Sequence, residues 1–138
     1  MILYLGYIDE PTVLCIYGDH QPALGDGFQD MLLEQDGTIE TNERYYMTPY
    51  MIWANYDLGS SGIVRDMSIN YLGANLLSVL GINDEYFDYL LDLEEELPVI
   101  NSQGYKTSDG VWHTLDEYND LIDKYRIVQY YELFDYKR

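Results

Sequence analysis

At 138 residues the chain is long enough for one domain with a real core. Seven Lys and Arg face 25 Asp and Glu, a formal charge of −18 spread as 11 acids and two bases up to Ile69, then 14 acids and five bases. No cationic cluster can neutralise phosphates, so a nucleic-acid or anionic-membrane footprint is disfavoured and metal cations fit better than polyanions.

Met1 to Tyr7 places Ile2, Leu3 and Leu5 close to Ile8 with no N-cap, and Asp9-Glu10-Pro11 ends the run. The pattern predicts the last turn or two of a helix. Met1 is not followed by a secretory-type basic region and cleavage site, and no stretch is apolar enough to span a bilayer, so the chain reads as soluble.

Thr12 to Tyr17 is apolar on both faces, the mark of a fully buried strand that needs neighbours and two covering layers. Cys15, the single cysteine, lies inside it and is expected to be an inert, buried thiol with no internal disulfide to make. The strand stops at Gly18-Asp19-His20-Gln21-Pro22. In a regular strand Asp19 and His20 would point to opposite faces, so both reach one ion only if the backbone leaves strand geometry. Gly18 permits that departure, and Pro22 prevents the strand from resuming.

Ala23 to Gln29 reads as a loop, with Asp26 and Asp30 as further carboxylates near the turn. Phe28 to Leu33 is a short helix by pattern, closed by the turn Gln35-Asp36-Gly37, and Thr38 to Arg44 is polar. Thr48-Pro49 leads into a second strand, Tyr50 to Ala54, and Asn55 to Gly62 is a loop.

Asp66 or Ser68 is positioned to cap a helix with Ile69, Leu72, Leu76, Val79 and Leu80 at helical spacing and Gly81 at its C′ position. Asn83 then caps a second helix with Phe87, Leu90, Leu91 and Leu97 on its apolar side, stopped by Pro98. Glu94-Glu95-Glu96 is expected to be a solvated face. Asp109-Gly110 sets a hairpin between Gly104-Tyr105-Lys106 and Val111-Trp112-His113. Thr114-Leu115-Asp116-Glu117 has the form of a capping box, so a final helix with Tyr118, Leu121, Ile122, Tyr125 and Val128 is expected to begin there. With only two core strands, the order of elements looks like half of an α/β sandwich.

There are 16 tyrosines and three phenylalanines. Tyrosine covers apolar surface while keeping a hydroxyl near water or a partner, so Tyr45, Tyr46, Tyr50 and Tyr56 are candidates to line a polar cleft or stack on a sugar, against the plainer reading of half-buried scaffold. Asp19 and His20 are candidate metal ligands, but two donors do not fill a coordination sphere, and Asp19 capping the next turn is the competing reading. His113 is expected to pack on the hairpin or face solvent.

Pro11 to Pro22, Thr48 to Asn55 and the helix Ser68 to Gly81, with Gly18-Asp19-His20-Gln21-Pro22 as the most specific piece, resemble the C-terminal part of the sulfatase-type domain of lipoteichoic acid synthases and related bacterial phosphoglycerol transferases. That domain belongs to the alkaline phosphatase superfamily. Tyr125 to Phe134 also resembles the family's C-terminal helix. The resemblance implies one unit, 1–138, forming a C-terminal fragment of a three-layer α/β/α sandwich. Asp19 and His20 would be two ligands of a catalytic Mn2+ or Mg2+, with Gln21 beside the substrate or bracing the turn.

The parent would be a transferase or hydrolase on the extracytoplasmic face of a bacterial membrane, acting on a lipid-linked or glycan phosphoglycerol-type substrate. Its nucleophilic threonine, acidic ligand and substrate-phosphate histidines lie before the Asp-His pair in that family, and only eighteen residues precede Asp19 here. Thr12 opens a strand and is not that nucleophile. No catalytic residue is therefore assigned, the isolated chain is expected to be inactive, and its open strand edge is expected to seek the preceding half of the domain or a second copy. A sister reading changes the substrate, making the parent a sulfatase, phosphodiesterase or phosphoethanolamine transferase. The contrasting reading is a non-catalytic, acidic, tyrosine-rich module binding a glycan or a protein.

Overall fold

The computed structural model describes residues 2–22, 46–59, 62 and 64–135. The expected loop, short helix and turn between Ala23 and Arg44, with Asp26, Asp30 and Tyr45, lie outside them.

The chain is mixed α/β with two small antiparallel sheets. A short helix α1 (Ile2–Leu5) precedes β1 (Val13–Tyr17), which pairs with β2 (Tyr50–Ala54) from Val13↔Ala54 to Tyr17↔Tyr50. Asn55 fastens the segment between them: its amide donates to the carbonyls of Ile8 and Glu10 at 2.8 and 2.9 Å, and its Oδ1 accepts from the Thr12 amide at 2.8 Å. Alternation along the ladder puts Leu14, Ile16, Met51 and Trp53 on one face and Val13, Cys15, Tyr17, Tyr50, Ile52 and Ala54 on the other.

β1 is not the fully buried strand its composition predicts. Ile16 is 38% exposed and Tyr17 55%, and Cys15 is half-buried, its thiol pKa pushed up by what burial it has. Among the described residues β2 is the sole strand beside it, and Ile16 and Tyr17, on opposite faces, are both exposed.

The core lies in the second half of the chain. A 3-10 turn (Ile69–Tyr71) runs into α2 (Leu72–Val79), α3 (Glu85–Glu96) follows, then β3 (Val99–Ile100), β4 (Gly104–Lys106) and β5 (Trp112–Thr114), and finally α4 (Asp120–Tyr130) with a π-type turn (Tyr131–Asp135). Tyr71 and Ala74, Leu90, Leu93 and Leu97, Ile100 and Tyr105, and Ile122 and Tyr125 close on one another as a buried cluster. Tyr71 donates its hydroxyl to the Leu97 carbonyl at 2.8 Å, and burial holds its pKa well above the usual phenol range.

Several local signals act one step from where the sequence places them. Ser68 makes no cap bond. Its hydroxyl donates to the Ile100 carbonyl at 2.7 Å and accepts from the Ile100 amide at 2.6 Å, tying the start of the helical unit to β3, a strand the sequence does not announce. Asp84, not Asn83, caps α3, accepting from the amides of Tyr86 and Phe87. Glu117 does reach back to the Thr114 amide at 3.0 Å, yet Thr114 is the end of β5, and α4 starts later, capped by Asn119. Gly81, at φ +68°, ends α2 as expected: the Ile82 amide donates to Leu77 and the Gly81 amide to Ser78, a paired closure that needs the left-handed conformation.

Candidate functional site

The site is built on the turn after β1. Gly18 donates its amide to the Pro49 carbonyl at 3.0 Å and accepts from the Thr48 hydroxyl at 2.7 Å. A Cβ on residue 18 would sit 2.9 Å from the Thr48 Cβ, so glycine is required here for close approach. Beyond permitting the departure from strand geometry, Gly18 thus allows a close approach that its sequence position does not announce. Held this way, the chain bends at Asp19 and His20 instead of continuing as a strand.

The bend brings the two side chains together. His20 Nε2 stands 3.6 Å from Asp19 Oδ2, and Asp19 Oδ1 accepts the His20 amide at 2.9 Å. On the far side of the ring, Nδ1 lies 2.8 Å from the Gln21 carbonyl; donating there assigns the proton to Nδ1 and leaves the Nε2 lone pair facing the carboxylate. That carbonyl, with Asp19 second, raises the His20 pKa above its ordinary value, so a proton competes more strongly for Nε2. The side chains are 76% and 81% exposed, so even when Nε2 is protonated the attraction of His20 to Asp19 is screened by water.

Two donors sharing a cation in tetrahedral or octahedral geometry lie roughly 3 to 3.4 Å apart, close to the spacing seen here. One carboxylate oxygen and one imidazole nitrogen suit Mn2+ better than Mg2+, which favours oxygen alone. Such a pair would supply two of the donors a divalent cation needs, and among the described residues no group of three or more His, Cys, Asp or Glu side chains converges to hold one.

Asp19 also lines a cleft of about 550 Å³ between the end of the β1–β2 ribbon and the helical unit. Tyr17, Tyr46 and Tyr50 from the ribbon side face Met67, Ile69, Leu72, Val99 and Ile100, with Arg65, Asp66 and Asn101 as polar wall residues. Of the tyrosines singled out by sequence, Tyr46 and Tyr50 line this cleft and Tyr56 does not. Gln21 is outside the lining as well; its amide donates to the Met47 carbonyl and so braces the turn against the segment before β2.

The remaining candidates have structural partners. Thr12 donates its hydroxyl to the Glu10 carbonyl at 2.9 Å. His113 stacks on Tyr105, centroids 5.1 Å apart, and its Nδ1 meets Glu117 Oε2 at 2.8 Å. Glu94 corrects the expected solvated face: it is 7% exposed, accepts from Asn75 Nδ2 at 2.6 Å and faces Arg65 Nε at 3.4 Å, whereas Glu95 and Glu96 are exposed. A run of three like charges gave no sign of which one turns inward. Arg65, unremarked in the sequence, is the cleft residue that pattern reading misses.

Among the described residues no helix is long and apolar enough to cross a membrane. No protein-family model, curated protein or solved structure matches the chain.

Proposed function

We propose that this chain supplies the Asp19–His20 half of a divalent-cation site in a phosphoryl- or sulfuryl-transfer domain of the alkaline phosphatase type. Its substrate would be a phosphodiester head group of the phosphoglycerol kind, used in building an envelope glycolipid or polymer at the outer face of a bacterial membrane. The carrying observation is the bend after β1, which turns two adjacent side chains toward each other, one of which, Asp19, lines a cleft. It is joined by the resemblance of Gly18 to Pro22 and of the elements around it to that family.

Asp19 would offset the cation's charge, and His20 would bind through Nε2 while its Nδ1 proton rests on Gln21 O. When bound, the cation would polarise the phosphoryl group. The cleft walls would hold the rest of the head group out of bulk water, and Gln21 would keep the turn in place. The further ligands and the nucleophile would come from a preceding part of the domain. A three-layer sandwich would accommodate the ribbon, which is apolar on both faces and, among the described residues, open at both edges.

Mn2+ titrated into the isotope-labelled chain is expected to broaden the amide signals of residues 18–21 first, and Asp19→Ala to remove that selectivity. Broadening spread evenly over the acidic surface, unchanged in the variant, would overturn the reading. Tyr17, Tyr46 and Tyr50 on one cleft favour a second reading, a glycan-binding module. That module would bind oligosaccharide equally well after Asp19→Ala and without any cation.

A further inference from the structure

Among the described residues that line the cleft, Arg65 is the single Lys or Arg, and the fold holds it there with a buried carboxylate. Glu94 sits in the last turn of α3, where the helix dipole disfavours negative charge, and it is almost wholly removed from water. Asn75 satisfies one of its oxygens and Arg65 Nε faces the other. From the ribbon side, the Tyr50 hydroxyl donates to the Arg65 carbonyl at 3.2 Å, fixing the backbone as well. The Nε edge of the guanidinium is thus turned inward, the two Nη amines take no partner from the described residues, and the side chain remains 47% exposed on the cleft wall.

We infer that Arg65 is an oxyanion-binding residue, its Nη amines gripping two oxygens of a phosphoryl group lodged in the cleft. The planar fork matches a tetrahedral oxyanion in a way an ammonium does not. Discrimination comes from the surroundings: among the described residues the other charged members of the lining are Asp19 and Asp66, and the chain is strongly acidic, so an anion finds attraction at Arg65 and repulsion at those carboxylates. Glu94 and Asn75 position the residue. The placement of the remaining phosphoryl oxygen toward Asp19 and His20 rests on the cation reading above, and the Arg65 contact is tested apart from it.

The probe is inorganic phosphate, with inorganic sulfate in a parallel titration, each added to the full chain without metal and followed through the Arg65 Nε–H signal and the amides of Ser68 and Asn101. Saturable shifts are expected, with affinity weakened at least about tenfold in Arg65→Gln and partly restored in Arg65→Lys, the loss of one charge-assisted bidentate contact. Sulfate binding equal to phosphate would assign the site to both esters, and preference for phosphate to phosphoryl groups alone; either upholds the inference. If Arg65→Gln fails to fold because Glu94 is left unpaired, the double variant R65Q/E94Q removes both charges and takes its place.

A purely structural Arg65 predicts a lowered melting temperature with an unchanged phosphate dissociation constant, and that result overturns the inference, as does the absence of any shift at tens of millimolar phosphate. Arg65-dependent phosphate binding in a chain whose Asp19 amide Mn2+ does not single out would overturn the cation reading alone. Selective Mn2+ broadening at Asp19 with phosphate binding indifferent to Arg65→Gln would overturn the oxyanion site alone.

Discussion

The β1–β2 ribbon and the unit made by α2, α3, α4 and the three-stranded sheet are both apolar in sequence and opposite in burial. In the helical unit Tyr71, Leu90, Leu97 and Tyr105 are almost completely removed from water, each enclosed by side chains arriving from several elements. In the ribbon, Ile16 and Met51 face each other across the ladder and both stay substantially exposed. The lesson is that an apolar strand buries itself only as far as it has neighbours: two strands shield one edge each and leave the rest of their faces to be covered by something else. Stability resides where the layers close, and the candidate chemistry resides at the free end of the half-covered part.

The widest gap between the two regions is expected from core truncation. Leu90→Ala should cost about 3 kcal/mol in urea unfolding, whereas Ile16→Ala in the ribbon should cost less than about 1 kcal/mol. Equal losses would mean that the ribbon is as tightly enclosed as the helices. Next comes the joint between α2 and β3: Ser68→Ala leaves the Ile100 amide and carbonyl without their buried partner and should destabilise by about 2 kcal/mol. A change within a few tenths of that of an exposed Ser→Ala control such as Ser78 would show that water replaces the hydroxyl.

Capping sharpens the same contrast at smaller scale. Asp84→Ala should cost about 1 kcal/mol and Asn83→Ala almost nothing, the reverse of the order that the sequence position of Asn83 suggests. Smallest is the acid limb of the hairpin. The His113 side chain, then the Thr114 amide, hold the Glu117 carboxyl below the usual carboxylate range. A depressed carboxyl stabilises the fold above its unfolded pKa and loses that contribution as pH falls through the folded value. Melting followed from pH 5 downward should therefore show a shallower acid loss in Glu117→Gln; parallel curves would show that the contact is broken in solution.

Much of the helical unit was legible because its signals are local. Gly81 ends α2 where a glycine after an apolar run should, Asp109-Gly110 turns the hairpin, and the spacing of Ile122 and Tyr125 identifies the inner side of α4. The misplacements share one cause. Ser68, Asn83 and Thr114 are each competent to cap, and the side chain that does cap is decided by which backbone amides the packed structure leaves open. At the candidate site, the bend that sets Asp19 beside His20 was readable from an apolar run ending in Gly-Asp-His. Arg65 was not, since its role depends on Glu94, which lies in a different helix and was indistinguishable in sequence from Glu95 and Glu96.

By itself the sequence determined the acidic character, the two ribbon strands, the three long helices with their C-terminal ends, and the adjacent carboxylate and imidazole, because each follows from composition or from residues within a few positions of one another. Only the tertiary structure decided that the ribbon stays half-covered, that Ser68 bonds a strand instead of a helix, that Glu94 turns inward, and that Asp19 and Arg65 look into one cleft. These depend on which distant segments meet, and burial, charge pairing and close approach are properties of that meeting.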